Sequence, residues 1–168
     1  MVTNGPIAPL WREDVDSERH IVERHAGAER IALIAESYAR LTGKRLVSAD
    51  GDAADALWNL DSVVLAHGTQ ADPVFFYANR AALDRFALTA REAIALPSRY
   101  SAELLEREER ARLLARVAEH GYIDDYAGVR VAKGGQRFMI EAATVWNLVD
   151  STGQVHGQAA AFSRWREL

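Results

Sequence analysis

The sequence predicts an α+β domain: an antiparallel five-stranded sheet with helices on one face, preceded by a helical extension. Three observations carry this. Asp61–Phe86 reads as strand, tight turn, strand and helix. Residues 122–165 read as three further strands separated by turns at Gly134-Gly135 and Asp150–Gly153. Before and between these blocks, apolar residues recur at helical spacing. The order helix, ββ, helices, βββ favours an antiparallel sheet with its helices packed to one side.

Length and composition set the bounds. A chain of 168 residues fits one domain with an extension. Apolar content of 49% and charge of 26% suit a globule with a real core. A net charge of −4 favours neither nucleic acid nor an anionic membrane surface as partner. There is no cysteine, which excludes disulfides, thiolate zinc sites, thiol redox chemistry and a cysteinyl–flavin adduct. No run reaches the roughly 18 apolar residues of a membrane span. Residues 1–16 carry Asp and Glu and no long apolar core, so no signal peptide is read and a cytoplasmic location is expected.

Taken in order, Met1–Pro9 is expected to be loosely ordered, with Leu10 and Trp11 as an anchor. Ser17–Leu41 is helical, with Gly27 as a point of interruption. Ile21, His25, Ala28, Ala32, Ala35 and Ala39 form one stripe, widened by Ile31, Ile34, Tyr38 and Leu41. Gly43 suits a left-handed helix end, and Asp52 caps a short helix through Trp58. Residues 1–60 are therefore read as a helical extension, packing on the sheet or on a dimer partner. Residues 61–168 are the core.

Within that core, Ser62–Ala66 is rich in β-branched and apolar residues and forms the first strand. His67–Asp72 turns the chain, and Pro73 suits a strand start. Val74–Ala78 is the second strand, and Asn79 caps the next helix by accepting from the amides of Ala81 and Ala82. Thr89–Ala95 is helical and ends before Pro97. Ser101 reads as the cap of a longer helix reaching about Glu119, with Leu104, Ala111, Leu114, Val117 and Ala118 inward and Gly121 as its stop. Tyr122–Lys133, Gln136–Val149 and Val155–Trp165 are the last three strands. In the second of these, Phe138, Ile140, Ala142, Thr144, Trp146 and Leu148 are expected on one face, opposite Met139, Glu141, Ala143, Val145 and Asn147. Both faces are largely apolar, so the sheet is expected to be covered on both sides.

No catalytic constellation emerges. His20 and His25 point to different helix faces, and there is no His-Glu-x-x-His pattern. Gly-x-Ser-x-Gly and the phosphate-loop spacing are absent. His67 is read as bracing the turn that follows it, His120 as sitting at a helix C-terminus and His156 as exposed. The Glu103–Arg112 charge run is read as a solvated, ion-paired face. The long central helix has no histidine before its end, which argues against haem. What remains is a set of polar or aromatic residues in apolar surroundings: Tyr77, Ser98, Arg99, Tyr126, Arg130, Trp146 and Gln158. These are the candidate ligand-binding residues of a pocket between sheet and helices. Arg99 and Arg130 suit a carboxylate. The alternative roles are structural, with Arg130 paired to Glu141 across strands and Trp146 as core filler.

Several segments resemble a known family. Tyr-Ala-Asn (77–79) followed by Ala-Ala-Leu and Phe86 is similar to the start of a PAS domain. Ala-His-Gly-Thr (66–69), Asp-Pro-Val-Phe-Phe-Tyr-Ala-Asn (72–79), Leu-Pro-Ser-Arg (96–99), Asp-Tyr-Ala-Gly-Val-Arg (125–130), Arg-Phe-Met-Ile (137–140), Val-Trp-Asn-Leu (145–148) and Gly-Gln-Ala-Ala-Ala-Phe (157–162) together resemble the MEKHLA domain, a PAS-related family. Its members are stand-alone bacterial proteins, the type this chain resembles, and the C-termini of plant class III homeodomain–leucine-zipper factors. The resemblance implies strand order 2-1-5-4-3 and a sensory or interaction role.

The expected function is a non-enzymatic sensory or interaction domain. It is expected to bind a small, mostly apolar ligand and to act as a homodimer or through a protein partner. The ligand itself is not implied. Two other readings stand beside it: an interaction module whose cavity is filled by its own side chains, and a small acid–base enzyme using His67 or Tyr126.

Overall fold

The computed structural model of the chain describes residues 10–103 and 107–168. The loose segment expected over residues 1–9, the anchoring side chains of Leu10 and Trp11, and the inward placement of Leu104 lie outside the described residues and side chains.

The N-terminal helical stretch is two helices, α1 (Leu10–Ala26) and α2 (Ala28–Thr42), separated by Gly27 at φ 84°. That conformation favours glycine and resets the helical phase. The buried stripe is consequently Val22, Ala26, Ile31, Leu33, Ile34 and Ser37, while His25 and Ala28 of the expected stripe are exposed. α2 ends at Gly43, whose N–H donates to the Ala39 carbonyl at 3.0 Å. α3 (Ala53–Asn59) starts at Asp52, whose carboxylate accepts from the Ala54 amide at 3.1 Å.

The strands are β1 (Val63–His67), β2 (Phe75–Ala78), β3 (Tyr122–Val131), β4 (Arg137–Val149), β5 (Val155–Phe162) and β6 (Arg164–Glu167). They form one antiparallel sheet in the order β2-β1-β5-β4-β3, with β6 pairing β4. The strand expected over Val155–Trp165 is thus divided. β5 pairs with Thr144–Val149 of β4, and β6 continues along Phe138–Glu141.

The division sits beside a β-bulge. From Tyr126↔Ala143 to Gly128↔Ile140 the register advances two residues on β3 and three on β4, and Ala142 has φ 50°. One inserted residue inverts the alternation of side chains. Phe138 and Ile140 therefore share a face with Ala143 and Val145, and Trp146 and Leu148 point the other way. This corrects the single face expected for Phe138 through Leu148.

The connecting helices are α4 (Arg80–Phe86), α5 (Ala90–Ala93) and α6 (Arg107–His120). Ser101 does not begin the long helix. Ser98–Ser101 is a 3-10 turn in which the Ser101 hydroxyl donates to the Ser98 carbonyl at 2.7 Å, and Ala102 is extended. Leu113 and Val117 of α6 pack against Ile123 and Val145, whereas Ala111, Leu114 and Ala118 of the expected inward face are exposed. His156 is half-buried rather than exposed, with Nε2 at 2.7 Å from the Asp150 carboxylate.

α1 packs on β2 and α2 on β4, covering one face of the sheet, here the outer face. α4 and α6 lie on the inner face. Asn79 ties the layers together. Fully buried, its Oδ1 accepts from the Val64 and Ala82 amides, each at 3.0 Å, and its Nδ2 donates to the Leu57 and Ser62 carbonyls at 3.1 and 2.8 Å. One side chain caps α4 and fixes the end of α3 to the start of β1.

Candidate functional site

The inner face is incompletely filled. One end is closed by a cluster of Phe86, Phe138 and Phe162, with ring centroids 5.3 to 6.5 Å apart. Beyond it lies a cavity of about 410 Å³. Its floor alternates along the strands: Leu65 and His67 of β1, Tyr126 and Arg130 of β3, Ile140 and Val145 of β4, Gln158, Ala160 and Phe162 of β5. The pairings Leu65↔Ala160, His67↔Gln158 and Val145↔Ala160 place these residues side by side.

The roof is residues 96–103 together with α6. This segment bonds to both edges of the sheet. The Phe75 amide donates to the Leu96 carbonyl at 3.1 Å and the Ser98 amide to the Pro73 carbonyl at 2.8 Å, beside edge strand β2. At the opposite edge, Ala102 bridges Arg130, and the Glu103 amide donates to the Val129 carbonyl at 3.5 Å. The segment therefore straps β2 to β3 across the inner face, and Leu113 and Leu114 of α6 complete the wall.

Ser98, Arg99, Tyr126, Arg130 and Gln158 of the sequence candidates line this cavity together. Tyr77 and Trp146 do not. Tyr77 pairs with Ala66 after a bulge in β2 and faces α1, where its buried hydroxyl has no hydrogen-bond partner among the described residues. Burial pushes that hydroxyl's pKa well above the ordinary tyrosine range. Trp146 faces α2: its ring meets Tyr38 edge-on at 5.0 Å, and Nε1 donates to the Ile34 carbonyl at 3.3 Å.

The polar groups of the cavity are differently engaged. Arg99, at the mouth, donates through Nε to both carboxylate oxygens of Asp72 at 3.1 and 3.2 Å and lies over the Tyr100 ring at 4.2 Å. That hydrogen bond to Asp72 raises the Arg99 pKa. Glu103 is ion-paired with Arg137. Gln158 Nε2 donates to Asn147 Oδ1 at 3.4 Å. His67 Nδ1 lies 2.9 Å from the Gly68 carbonyl, in keeping with a turn-bracing role, but the ring also lines the cavity.

Arg130 is set differently. Glu141, its expected partner, instead meets Arg166 at 3.3 Å. Desolvation lowers the Arg130 pKa from its ordinary value, and its guanidinium lies 5.4 Å from the centre of the Tyr126 ring. Gly128 makes that arrangement possible. A Cβ there would sit 2.5 Å from the Tyr126 hydroxyl, so only glycine lets the ring lie over the strand between positions 126 and 130. Tyr126-x-Gly128-x-Arg130 on one face of a strand is the sequence signal for this arrangement. Leu65, Phe75, Ile140, Val145 and Phe162 line the cavity as well, without being sequence candidates. Their signal was alternation within strands already assigned to the core.

Among the described residues no cluster of His, Cys, Asp and Glu is arranged to hold a metal ion. No described helix is long and apolar enough to cross a membrane.

Comparison with known proteins places this architecture. A domain of the protein from Colwellia psychrerythraea, described as a PAS domain, superposes with a TM-score of 0.54 at 14% identity, covering 68% of this chain and 92% of that one. A light-oxygen-voltage domain studied with a flavin analogue superposes with a TM-score of 0.54 at 15% identity, covering 71% and 86%. The fold is thus PAS-like. In sequence, the homeobox-leucine zipper protein ATHB-9 of Arabidopsis thaliana is 31% identical over 146 residues, and ATHB-14 of the same plant is 29% identical over 145. Each match covers 80% of this chain and 17% of the relative, so the chain spans about one sixth of the length of these proteins. The family model of the MEKHLA domain matches residues 28–167, beginning at the first residue of α2 and running through β6. This chain belongs to the MEKHLA domain family.

Proposed function

We propose that this PAS-like domain is a non-enzymatic sensor that holds a small, mostly apolar ligand between its sheet and the strap of residues 96–103, and relays occupancy through dimer or partner contacts. The observation that carries the reading is the cavity of about 410 Å³ on the inner face. Preformed ligand sites have volumes of roughly 300–1,000 Å³ and are mostly apolar with a few placed polar groups. Ser98, Tyr126, Arg130 and Gln158 are the polar groups proposed to orient the ligand, with Arg99 at the mouth. Residues 1–60 are proposed as an extension that serves the sheet or a homodimer contact, and 61–168 as the sensing core. A cytoplasmic location is part of the same proposal.

Strapping both sheet edges with one segment supports the relay. A ligand that displaces residues 96–103 moves β2 and β3 together, at opposite ends of the sheet. A second reading, a module that works through protein contacts alone, draws on the Phe86–Phe138–Phe162 cluster, which fills the other end of the inner face with the protein's own side chains.

The test is native mass spectrometry with an absorbance scan on gently purified protein. Dimer mass, or added mass from a bound compound that is released on denaturation, supports the sensor. A monomer of apo mass that stays unliganded across a small-molecule screen favours the contact module. Turnover of a bound compound overturns the non-enzymatic assignment.

A further inference from the structure

We infer that the ligand class of this cavity is a monocarboxylate with an apolar body, its carboxylate held by Arg130. The inference rests on the ligand-binding reading above and adds the chemistry.

The charges lining the cavity carry the argument. Asp72 is matched to Arg99, and Glu103 is matched to Arg137. Arg130 has neither ion pair nor side-chain hydrogen bond among the described residues, and Tyr126 is its only aromatic contact there. Guanidinium stays protonated in proteins and presents a rigid fork of N–H donors. A desolvated cation left without a counter-charge is unfavourable. The remedy available inside a cavity is an anion that enters with the ligand.

The same geometry narrows the anion. A lone arginine beside an aromatic ring matches one unit of negative charge and a two-oxygen fork. A phosphate dianion would call for further cationic donors, and the other arginine lining the cavity is already engaged by Asp72. The apolar part of the wall, which includes Leu65, Phe75, Ile140, Val145, Ala160 and Phe162, suits an aliphatic or aromatic body, and His67, Ser98 and Gln158 are uncharged polar groups beside it. The cavity of about 410 Å³ lies in the lower part of the range of small-molecule sites, roughly 300–1,000 Å³, which points to a small ligand.

The backbone supports a dedicated site. Arg130 is held in β3 by its pairing to Phe138 and by the Ala102 bridge, so the head group would be gripped where the strap meets the sheet edge. A carboxylate there joins the floor to the roof.

The experiment is isothermal titration calorimetry of the full chain with matched probes: octanoate against octanol and octylamine, and phenylacetate against phenylethanol and phenylethylamine. Amide chemical shifts locate the bound probe. Expected is at least one carboxylate binding about tenfold or more tighter than its alcohol, with the amine weakest. Arg130→Gln should weaken the carboxylate by about tenfold or more and leave the alcohol within about twofold, and Arg130→Lys should recover part of the loss. The probe series on the unaltered protein stands even if a variant fails to fold. Alcohols binding as well as carboxylates, with shifts at cavity amides, would keep the ligand-binding reading and overturn the anionic one. Carboxylate affinity unchanged in Arg130→Gln would also overturn it. No binding by any probe overturns the inference, and native mass spectrometry then decides separately whether a different ligand occupies the cavity.

Discussion

The two faces of the sheet are made by alternate residues of the same strands, yet they are finished differently. On the outer face α2 is fixed to β4 by matched groups. The Ser37 hydroxyl donates to the Val149 carbonyl at 3.1 Å and accepts from the Val149 amide at 3.0 Å. Arg40 donates to the same carbonyl, and Trp146 is fully buried between Tyr38 and the Ile34 carbonyl. Arg30 donates to the last carbonyls of α1, Ala26 at 2.7 Å and His25 at 2.8 Å, while lying over Phe76 at 4.2 Å. On the inner face the strap and α6 leave a cavity, and Arg130 stands in its wall without a counter-charge among the described residues. The outer face consolidates the fold, and the inner face keeps capacity in reserve. Residues that look alike in the sequence, such as Arg30 and Arg130 or Trp146 and Tyr126, therefore do different work.

The largest effect that would test this contrast is Trp146→Ala. Truncating a fully buried tryptophan should cost about 4 kcal/mol and lower the melting temperature by about 8–16 °C. A loss under about 1 kcal/mol in calorimetry would mean that the outer face is not the consolidated one. Ser37→Ala comes next. It removes the hydroxyl partner of the half-buried Val149 amide and one of the two donors to its carbonyl, which keeps Arg40, so about 2 kcal/mol should be lost. Urea unfolding with an unchanged m-value checks it, and a neutral outcome would show that water replaces the hydroxyl. Arg30→Met should cost about 1.5 kcal/mol through two charge-assisted bonds at a helix C-terminus.

Much of the fold could be read from residues whose local chemistry admits few solutions. Gly27 and Gly121 both take positive φ, at 84° and 77°, where interruption and stop were expected. Asp52 and Asn79 cap the helices they precede. What escaped were features that add one residue to a count. The bulges at Phe76 and Ala142 each invert the side-chain alternation, and they are what send Tyr77 and Trp146 to the outer face. Nothing in the residue type announces such an insertion: Ala142 is not a glycine, yet it has φ 50°. The candidates that did converge keep their phase. Tyr126 and Arg130 are four apart on β3, and the residue inserted in that interval is on β4, so both stay on the inner face. Gln158 pairs with His67 on the same face, and Ser98 and Arg99 lie on the strap where Pro97 sets the turn. The tie between Asn79 and the Leu57 and Ser62 carbonyls was also hidden, because long-range partners of an amide leave no pattern in spacing.

Tyr77 marks an imperfection in the outer face and gives a smaller test with the opposite sign. Its hydroxyl is buried against α1 without a partner among the described residues. Removing an unsatisfied buried polar atom without changing the ring's shape relieves a desolvation cost. Tyr77→Phe should therefore raise stability by about 1 kcal/mol, read as a higher urea midpoint. A loss of similar size would show that the hydroxyl is bonded in solution, and would return Tyr77 to the list of functional candidates.

The smallest expected change belongs to Arg130→Met, and its smallness is what makes it informative. Methionine keeps an unbranched apolar chain against the Tyr126 ring and removes the charge. The guanidinium has no ion pair among the described residues to lose, so stability should stay level or rise by about 0.5 kcal/mol, against the loss expected for Arg30→Met. Under the proposed carboxylate site, a residue that folding does not need is kept in the cavity wall for binding. If Arg130→Met instead cost as much as Arg30→Met, Arg130 would be a structural cation like its outer-face counterpart. The two faces would then differ only in how tightly they are packed.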